Sequence, residues 1–391
     1  MEIRKLTAKE RFEAAVISTV AFHMRMEDPE KSREESEKNT VEDWGAFGED
    51  GRMMARILNH RFDSWLDGQL AANGGIGAVS TLPEYRNTGA VRAIFEQLIP
   101  EAYRNGEVFS TLAPFCHAFY RKFGYETVSW RNDYEFAPSV LSKYRFDGTA
   151  ELWKPGNPVS GYTELYNRFA ANYNLAIHRD DKRMLEEHLK GEYYKDRKFA
   201  YLLRENGKPV AYLIFQDIRH DPAAILSVQD LAWDGRAGMN AILGFLARFT
   251  ADYGTIRLFL PASLELFSFI RCPQAYEISQ TVRQDYMIRA INAQKMLEMI
   301  KKPDGSSFTV RIEGDAYIPE NNGTWEVSGD KANPTDKAPD LTVSIQAFSQ
   351  LAAGAASLSE AMYRPDVEVA GNEETLAKVF VRKPILVEDP F

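Results

Sequence analysis

Cysteine is scarce in this chain of 391 residues, and long apolar runs are missing. The two cysteines, Cys116 and Cys272, are too few for a disulfide framework or for a zinc site with four sulfur ligands. No apolar run approaches the roughly 18 residues that a membrane-spanning helix needs. Residues 1–6 also lack the apolar centre of a signal peptide. We therefore expect a cytoplasmic protein without a membrane partner.

Positive charge is outweighed by negative charge. The sequence holds 47 Lys and Arg residues against 56 Asp and Glu residues, which gives a formal net charge of −9 at pH 7. A nucleic-acid-binding protein would need a local basic stripe against this overall field, and the sequence shows only isolated pairs such as Arg121-Lys122. We expect no nucleic-acid partner, and cationic small molecules suit this charge better.

The order of predicted elements divides the chain into three segments. A length of 391 residues predicts two or three domains at about 150 residues each. Residues 1–150 and 151–287 repeat one order of helices and strands, and a Pro- and Gly-rich linker at 153–158 separates them. Residues 288–391 place strands first and helices afterwards, which is typical of an α+β domain. The predicted fold is therefore mixed α/β with a duplicated module.

Turn residues separate the predicted strands in each of the two modules. Asn73-Gly74-Gly75 follows two predicted strands, 52–60 and 61–71, and indicates a turn before a third strand at 76–82. In the second module Asn206-Gly207 separates two apolar runs and predicts a tight hairpin. Residues 90–104 repeat apolar residues on one side and predict an amphipathic helix.

The turn between the strand at 76–82 and the helix at 90–104 has the composition of an anion site. The free N–H groups and the dipole of a helix start favour a phosphate, and Gly89 permits a close approach of the backbone. Arg86 and Arg92 add positive charge. The turn is not a Walker loop, and Gly75-Ile76-Gly77 lacks the third glycine of a dinucleotide fingerprint. Taken alone, the turn would more often be an ordinary connection with solvated arginines.

A second sequence element makes the interpretation of this anion site more specific. About thirty residues later, the sequence Phe119-Tyr120-Arg121-Lys122-Phe123-Gly124-Tyr125 predicts a short aromatic helix that Gly124 ends. The two elements at this spacing resemble the GNAT superfamily of acetyl-CoA-dependent N-acetyltransferases. The resemblance implies that a splayed strand binds the pantetheine arm and that the turn binds the pyrophosphate. The matching residues are Val79, Ser80 and Thr81 on the strand, and Arg86, Asn87, Thr88, Gly89, Ala90, Val91 and Arg92 in the turn.

The whole chain is similar to a narrower group, the Eis (enhanced intracellular survival) family of multi-acetylating aminoglycoside N-acetyltransferases. Val91 departs from the general GNAT pattern, which has Gly or Ala there, but it fits this family, which has apolar residues after the glycine and then Arg. The resemblance implies a catalytic GNAT domain at 1–150, a degenerate GNAT-like domain at 151–287 and a sterol carrier protein-like domain at 288–391. It also implies a homo-oligomer, since the family forms hexamers, although the sequence itself does not fix the number of subunits.

The same resemblance assigns the proton transfers. Tyr120 matches the family's general acid, which protonates the thiolate leaving group, and the alternative is a buried ring packed on the sheet. The family's general base is the carboxylate of a terminal phenylalanine, here Phe391, although chain termini more often fray. His117 and Glu388 are expected to line the substrate site at most. We expect no metal ion.

Several functions stay open at this point. The first is acetyl transfer from acetyl-CoA to primary amines of a cationic, aminoglycoside-like acceptor at several positions, and polyamines or protein lysines are alternative acceptors. The second is a non-catalytic lipid carrier or scaffold that uses the C-terminal domain. That reading leaves Tyr120 and the arginines of the turn unexplained. In the central module Asp234 occupies the place of the cofactor turn and would repel a pyrophosphate, so we interpret that module as structural.

Overall fold

The computed structural model describes residues 1–219, 224–270 and 277–389. Contacts between residues divide the chain into two compact units. The first contains residues 1–128, 286–383 and the described end of the chain from Glu388, and the second contains 129–285 and 384–387. The predicted division at 150 and 287 stays a prediction. In the described ranges, no helix is long and apolar enough to cross a membrane.

Runs of strands are separated by helices along the described chain. The strands are β1 (Glu2–Lys5), β2 (Glu42–Phe47), β3 (Met53–Leu66), β4 (Gln69–Thr81), β5 (Phe109–Leu112), β6 (Glu126–Phe136), β7 (Thr149–Leu152), β8 (Lys198–Glu205), β9 (Lys208–Arg219), β10 (Ala224–Trp233), β11 (Thr255–Pro261), β12 (Ile278–Ala290), β13 (Ser307–Glu313), β14 (Gly323–Ser328), β15 (Lys331–Pro334), β16 (Leu341–Ser344) and β17 (Val367–Val369). The helices are α1 (Arg11–Ala21), α2 (Pro29–Lys38), α3 (Ala90–Arg104), α4 (His117–Arg121), α5 (Ser160–Ala170), α6 (Asp181–Arg183), α7 (Tyr193–Asp196), α8 (Gly235–Leu246), α9 (Ala293–Met299), α10 (Ile345–Ala353), α11 (Leu358–Ala361) and α12 (Glu373–Val379).

The sheet of the first unit runs in the order β1-β2-β3-β4-β5, and residues 287–290 of β12 lie on the far side of β5. Neighbours from β1 to β4 are antiparallel, whereas β4 and β5 are parallel and are connected by α3. The predicted amphipathic helix is confirmed, because Ile94, Phe95, Leu98 and Ile99 of α3 are buried. They join the core under the sheet that also holds Tyr120.

The predicted turn at Asn73-Gly74-Gly75 is wrong. The chain turns instead at Asp67 and Gly68, which have φ angles of 50° and 82°. β4 then continues through the glycines to Thr81. A Cβ atom at Gly74 would lie 2.1 Å from Oε2 of the buried Glu107. Glycine therefore leaves room for a side chain from another part of the chain, and it does not mark a reversal.

The sheet of the second unit repeats this order with other strands. Its order is β6-β11-β10-β9-β8-β7, in which β10 and β11 are parallel and the other neighbours are antiparallel. α8 connects the parallel pair, as α3 does in the first unit. Asn206 and Gly207 both have positive φ angles between β8 and β9, which confirms the predicted hairpin.

The C-terminal segment adds a second sheet to the first unit, in the order β15-β14-β13-β16-β17. Its strands are antiparallel neighbours except β13 and β16, which are parallel. Ser344 caps the start of α10, because its side chain accepts a hydrogen bond from the backbone N–H of Ala347. α10, α11 and α12 follow β13 to β16, which agrees with the predicted α+β order, although β17 lies between α11 and α12.

Candidate active site

β4 separates from β5 before it reaches the cofactor turn. Their parallel pairing runs from Asn73 and Phe109 to Ile76 and Leu112, and it ends there. β4 nevertheless continues to Thr81 and stays paired with β3 on its other side. Residues 77–81 therefore form a strand edge that faces the gap next to β5.

A β-bulge accompanies this separation. The register between β3 and β4 shifts between Arg56 and Leu58, and Ala78 opposite the shift has a φ angle of 48°. Such a backbone conformation is uncommon for a residue with a Cβ atom, and bulges bend the strand that contains them. The bend directs Val79, Ser80 and Thr81 along the gap.

The turn after β4 leads into the start of α3. A short 3₁₀ turn at Pro83–Tyr85 is followed by Asn87 and Gly89, with φ angles of 64° and 87°. The first backbone hydrogen bond of α3 joins the N–H of Ala93 to the carbonyl of Gly89 at 3.0 Å. The preceding N–H groups of the first turn are thus directed out of the helix end, where they can bind an anion.

A cavity of about 910 Å³ lies between these elements. All ten residues that the sequence predicts to bind the cofactor contribute to its lining. The described lining residues are Ala21, Phe22, Val79, Ser80, Thr81, Tyr85, Arg86, Asn87, Thr88, Gly89, Ala90, Val91, Arg92, Phe115, Phe119, Lys122 and Phe123. Three of these described residues are basic, none is acidic, and four are phenylalanines. The cavity thus suits a ligand that combines anionic groups with an apolar chain.

Tyr120 lies in α4, directly behind the aromatic wall of this cavity. Its ring contacts Phe115 and Phe119 at centroid distances of 5.3 and 5.1 Å, and both of those residues line the cavity. Tyr120 itself is 2% exposed and is not a lining residue. Burial raises the pKa of Tyr120, so the phenol keeps its proton at neutral pH. Phe123, in the same segment, stacks on Phe95 at a centroid distance of 4.3 Å.

His117 and Glu388 are not among the described lining residues of the cavity. His117 is half-buried at the start of α4, and its Nε2 atom is buried without a hydrogen-bond partner. Glu388 is half-buried, and the next residue, Asp389, accepts a hydrogen bond from the Tyr286 hydroxyl at its carbonyl oxygen, at 3.1 Å. Phe391 lies outside the described residues, so the role of its carboxylate stays a prediction. Within the described ranges, no cluster of His, Cys, Asp and Glu could hold a metal ion.

A buried polar network that the sequence analysis missed supports the cofactor strand. The Ser80 hydroxyl lies 3.1 Å from that of Ser18 in α1, and Arg56 donates a hydrogen bond to Ser18 at 3.3 Å. Arg56 also binds both carboxylate oxygens of Asp43, at 2.6 and 3.2 Å. Burial raises the pKa of Asp43 although the charge of Arg56 lowers it. No local sequence motif predicts this network, because its members come from α1, β2, β3 and β4.

Comparison with known proteins identifies two domains. Residues 2–128 match the acetyltransferase (GNAT) domain family, and residues 290–387 match the sterol carrier protein domain family. None of the curated proteins compared with the chain matches it. The prediction of a GNAT acetyltransferase domain followed by a sterol carrier protein-like domain is therefore confirmed, and with it the predicted fold and the predicted class of enzyme, an N-acetyltransferase.

Solved structures with this fold cover the whole chain. A probable N-acyltransferase from Enterococcus faecalis V583 is 20% identical, with a TM-score of 0.88 over 100% of this chain and 99% of its own. A GCN5-related N-acetyltransferase from Anabaena variabilis ATCC 29413 is 19% identical, with a TM-score of 0.87, and Eis1 from Mycobacterium abscessus is 18% identical, with a TM-score of 0.83. Both of these matches cover 100% of both chains. At these identities the likeness concerns the fold.

Proposed function

We propose that the protein transfers the acetyl group of acetyl-CoA to primary amines of a small cationic acceptor of the aminoglycoside kind. The observation that carries this proposal is the cavity next to β4, because a strand edge, a helix start and an aromatic helix surround one space. Each of these three elements suits a different part of an acyl-CoA molecule. Membership of the Eis family is part of the proposal, and Eis1 from Mycobacterium abscessus supports it through the fold alone.

The lining residues fit acetyl-CoA. Arg86 and Arg92 flank the first turn of α3, where the backbone N–H groups and the charged side chains favour a pyrophosphate. The strand edge at residues 77–81 can pair with the amide groups of a pantetheine chain, as exposed edges pair with other extended chains. Acetyl-CoA would supply an acyl group that is activated as a thioester.

The chain's own groups then handle two protons. As the acceptor nitrogen bonds to the acetyl carbon and the carbon–sulfur bond breaks, the nitrogen loses a proton and the sulfur gains one. We assign the proton that reaches the sulfur to the Tyr120 hydroxyl, which burial keeps protonated at neutral pH. We assign the acceptor's proton to the carboxylate of Phe391, whose reference pKa of about 3.5 leaves it ionised at neutral pH.

The charge of the protein favours a cationic acceptor. The net charge of −9 attracts polyamines and aminoglycosides over the whole surface. The donor cavity is basic by contrast, so we expect the acceptor to be held by carboxylates outside it. Glu388 and the terminal carboxylate are the groups that we assign to this task.

Acetyl incorporation tests the proposal directly. The purified protein is incubated with acetyl-CoA and, separately, with a kanamycin-type aminoglycoside, spermidine and a lysine peptide, and the products are weighed by mass spectrometry. We expect more than one acetyl group on a single aminoglycoside. Acetylation of spermidine or of the peptide alone would replace the proposed acceptor. Fatty-acyl binding without any thioester cleavage would overturn the catalytic proposal in favour of a lipid carrier.

A further inference from the structure

We propose that the sterol carrier protein domain is a positioning part of the acetyltransferase site, because its residues Gln346 and Arg364, together with Arg289 just before it, hold the segment that ends α4 and thereby orient Tyr120. The inference rests on the proposed function, in which Tyr120 is the general acid. The acetyltransferase domain and residues 286–383 belong to the same compact unit. Several of their hydrogen bonds fall on the chain that directly follows Tyr120.

α4 is too short to hold its own orientation. It has five residues, and isolated helices shorter than about 12 residues are marginal in water. Cys116 precedes the helix without a side-chain hydrogen bond to its first turn. After Tyr120 the chain reverses through Gly124, which has a φ angle of 86°. The Tyr120 ring packs on Phe95, Phe115 and Phe119, so its direction depends on these contacts and on what holds the segment from Arg121 to Thr127.

α10 binds this segment at both ends. The Nε2 atom of Gln346 donates to the carbonyl of Arg121 at 3.2 Å, and that of Gln350 donates to the carbonyl of Thr127 at 2.6 Å. Gln346 and Gln350 are four residues apart, so they lie on one face of the helix. The first of these bonds reaches the residue adjacent to Tyr120.

An ion network reinforces the same segment. Arg121 binds the carboxylate of Glu126, with a shortest distance of 2.7 Å. Arg364 donates to that carboxylate at 3.2 Å and to the Oε1 atom of Gln350 at 3.0 Å. Burial opposes the ionisation of Glu126, but hydrogen bonds from Arg121 and from the N–H of Thr127 keep its pKa below the usual range. Both arginines thus face a charged partner that is 5% exposed.

A buried arginine supports the turn between these two contacts. A Cβ atom at Gly124 would lie 3.3 Å from the guanidinium carbon of Arg289, which leaves little space above the turn. Arg289 is fully buried and binds both carboxylate oxygens of Asp315, at 2.6 and 3.1 Å. Arg289 precedes the sterol carrier protein match and Asp315 lies inside it, so the turn rests on a pair that the C-terminal part of the chain provides.

A double-mutant cycle on the full-length protein tests this inference. We expect the Gln346→Ala and Arg364→Ala pair to lower kcat by roughly ten- to hundredfold, since small displacements of a catalytic group have effects of this size. KM for acetyl-CoA should change less than kcat, because neither residue lines the donor cavity. In a Tyr120→Phe protein the same pair should cause no further loss, because it would act through the missing hydroxyl. Lysine in place of alanine at position 364 (Arg364→Lys) should restore part of the kcat that the pair loses, since lysine keeps the positive charge.

Arg311→Ala is the matched control, because this arginine pairs with Glu313 on the surface of β13 in the same domain. Calorimetric unfolding shows whether each variant is folded, and if the pair unfolds, the single Gln346→Ala variant takes its place. Full kcat in the folded Gln346→Ala and Arg364→Ala pair, or in its single-variant replacement, would overturn the inference and leave the proposed function intact. An equal loss of kcat with and without the Tyr120 hydroxyl would do the same. Full kcat in Tyr120→Phe would overturn the assigned acid and this inference together.

Discussion

Arg86 and Arg92 act on the cofactor turn through charge, and Gly89 acts through backbone geometry. Gly89 has a φ angle of 87°, and a Cβ atom there would meet nothing within 4 Å. Glycine is therefore needed here for its left-handed backbone conformation, which leads the chain into α3. The arginines can then bind the phosphates that the helix start attracts.

Replacing these arginines should weaken coenzyme A binding. We expect Arg86→Ala and Arg92→Ala each to raise the Kd of coenzyme A by about tenfold, the size of one charge-assisted hydrogen bond. Isothermal titration calorimetry measures the change. Arg104→Ala is the control, since this exposed residue ends α3 and pairs with Glu101. Equal Kd values in all three variants would contradict the assigned pyrophosphate site.

Glu107 should make the stability of the protein depend on pH. Its Oε1 atom accepts a hydrogen bond from Asn59 at 3.0 Å, and Oε2 and the Asn59 Oδ1 atom are both buried without a partner. Burial raises the pKa of Glu107 to about 7. The folded protein thus binds a proton that the unfolded chain releases near its reference pKa of 4.5, so stability is lost as pH rises through this range.

Glu107→Gln should remove this dependence, because an amide can donate to Asn59 without carrying charge. We expect the variant to be more stable than the parent protein at pH 8, by at most about 3 kcal/mol, and to differ little near pH 4.5. Urea unfolding at several pH values provides the measurement. Parallel stability profiles for the two proteins would show that Glu107 has the same pKa in the folded and the unfolded protein.

At the scale of elements, the sequence predicts best where the signal is local. The bounds of α3 were predicted to the residue, because a periodic apolar face follows a clear turn. α2 was missed since its sequence, PEKSREESEK, has no apolar residue and none of it is buried. The sequence signal of the cofactor turn is local as well, because its residues follow one another along the chain. Ser18 and Ser80 are 62 residues apart, so their contact leaves no pattern in the sequence.

Gly74 shows why a turn signal inside a strand misleads. We expect Gly74→Ala to destabilise the protein by roughly 1–3 kcal/mol, because the new Cβ atom overlaps with the Glu107 carboxylate. Adding Glu107→Ala removes the obstacle, so the double variant should be less destabilised than the two single effects combined. Chemical denaturation of all four proteins measures the coupling. Strict additivity would mean that the glycine serves backbone freedom alone.

At the scale of the whole molecule, the proposed general base depends on a free chain end. Appending a few residues after Phe391 would turn its α-carboxylate into an amide. We expect kcat to fall by roughly a hundredfold or more, the typical contribution of a general base. The Kd of coenzyme A should stay the same, because the ten predicted cofactor residues are untouched. The same residues appended before Met1 serve as the control, and full turnover in both extended proteins would refute the assignment.

Assembly into a homo-oligomer stays a prediction.

The position of residues 287–290 beside β5 affects how the protein forms during synthesis. Phe109 of β5 pairs with Ala290, so the acetyltransferase sheet includes chain that is translated about 180 residues later. At about 5–20 residues per second, a ribosome needs roughly 10–40 s to reach that point. In the meantime the nascent chain exposes an unpaired strand edge, which is a site for wrong association. Chaperones that shield such edges should therefore raise the yield of active enzyme during translation.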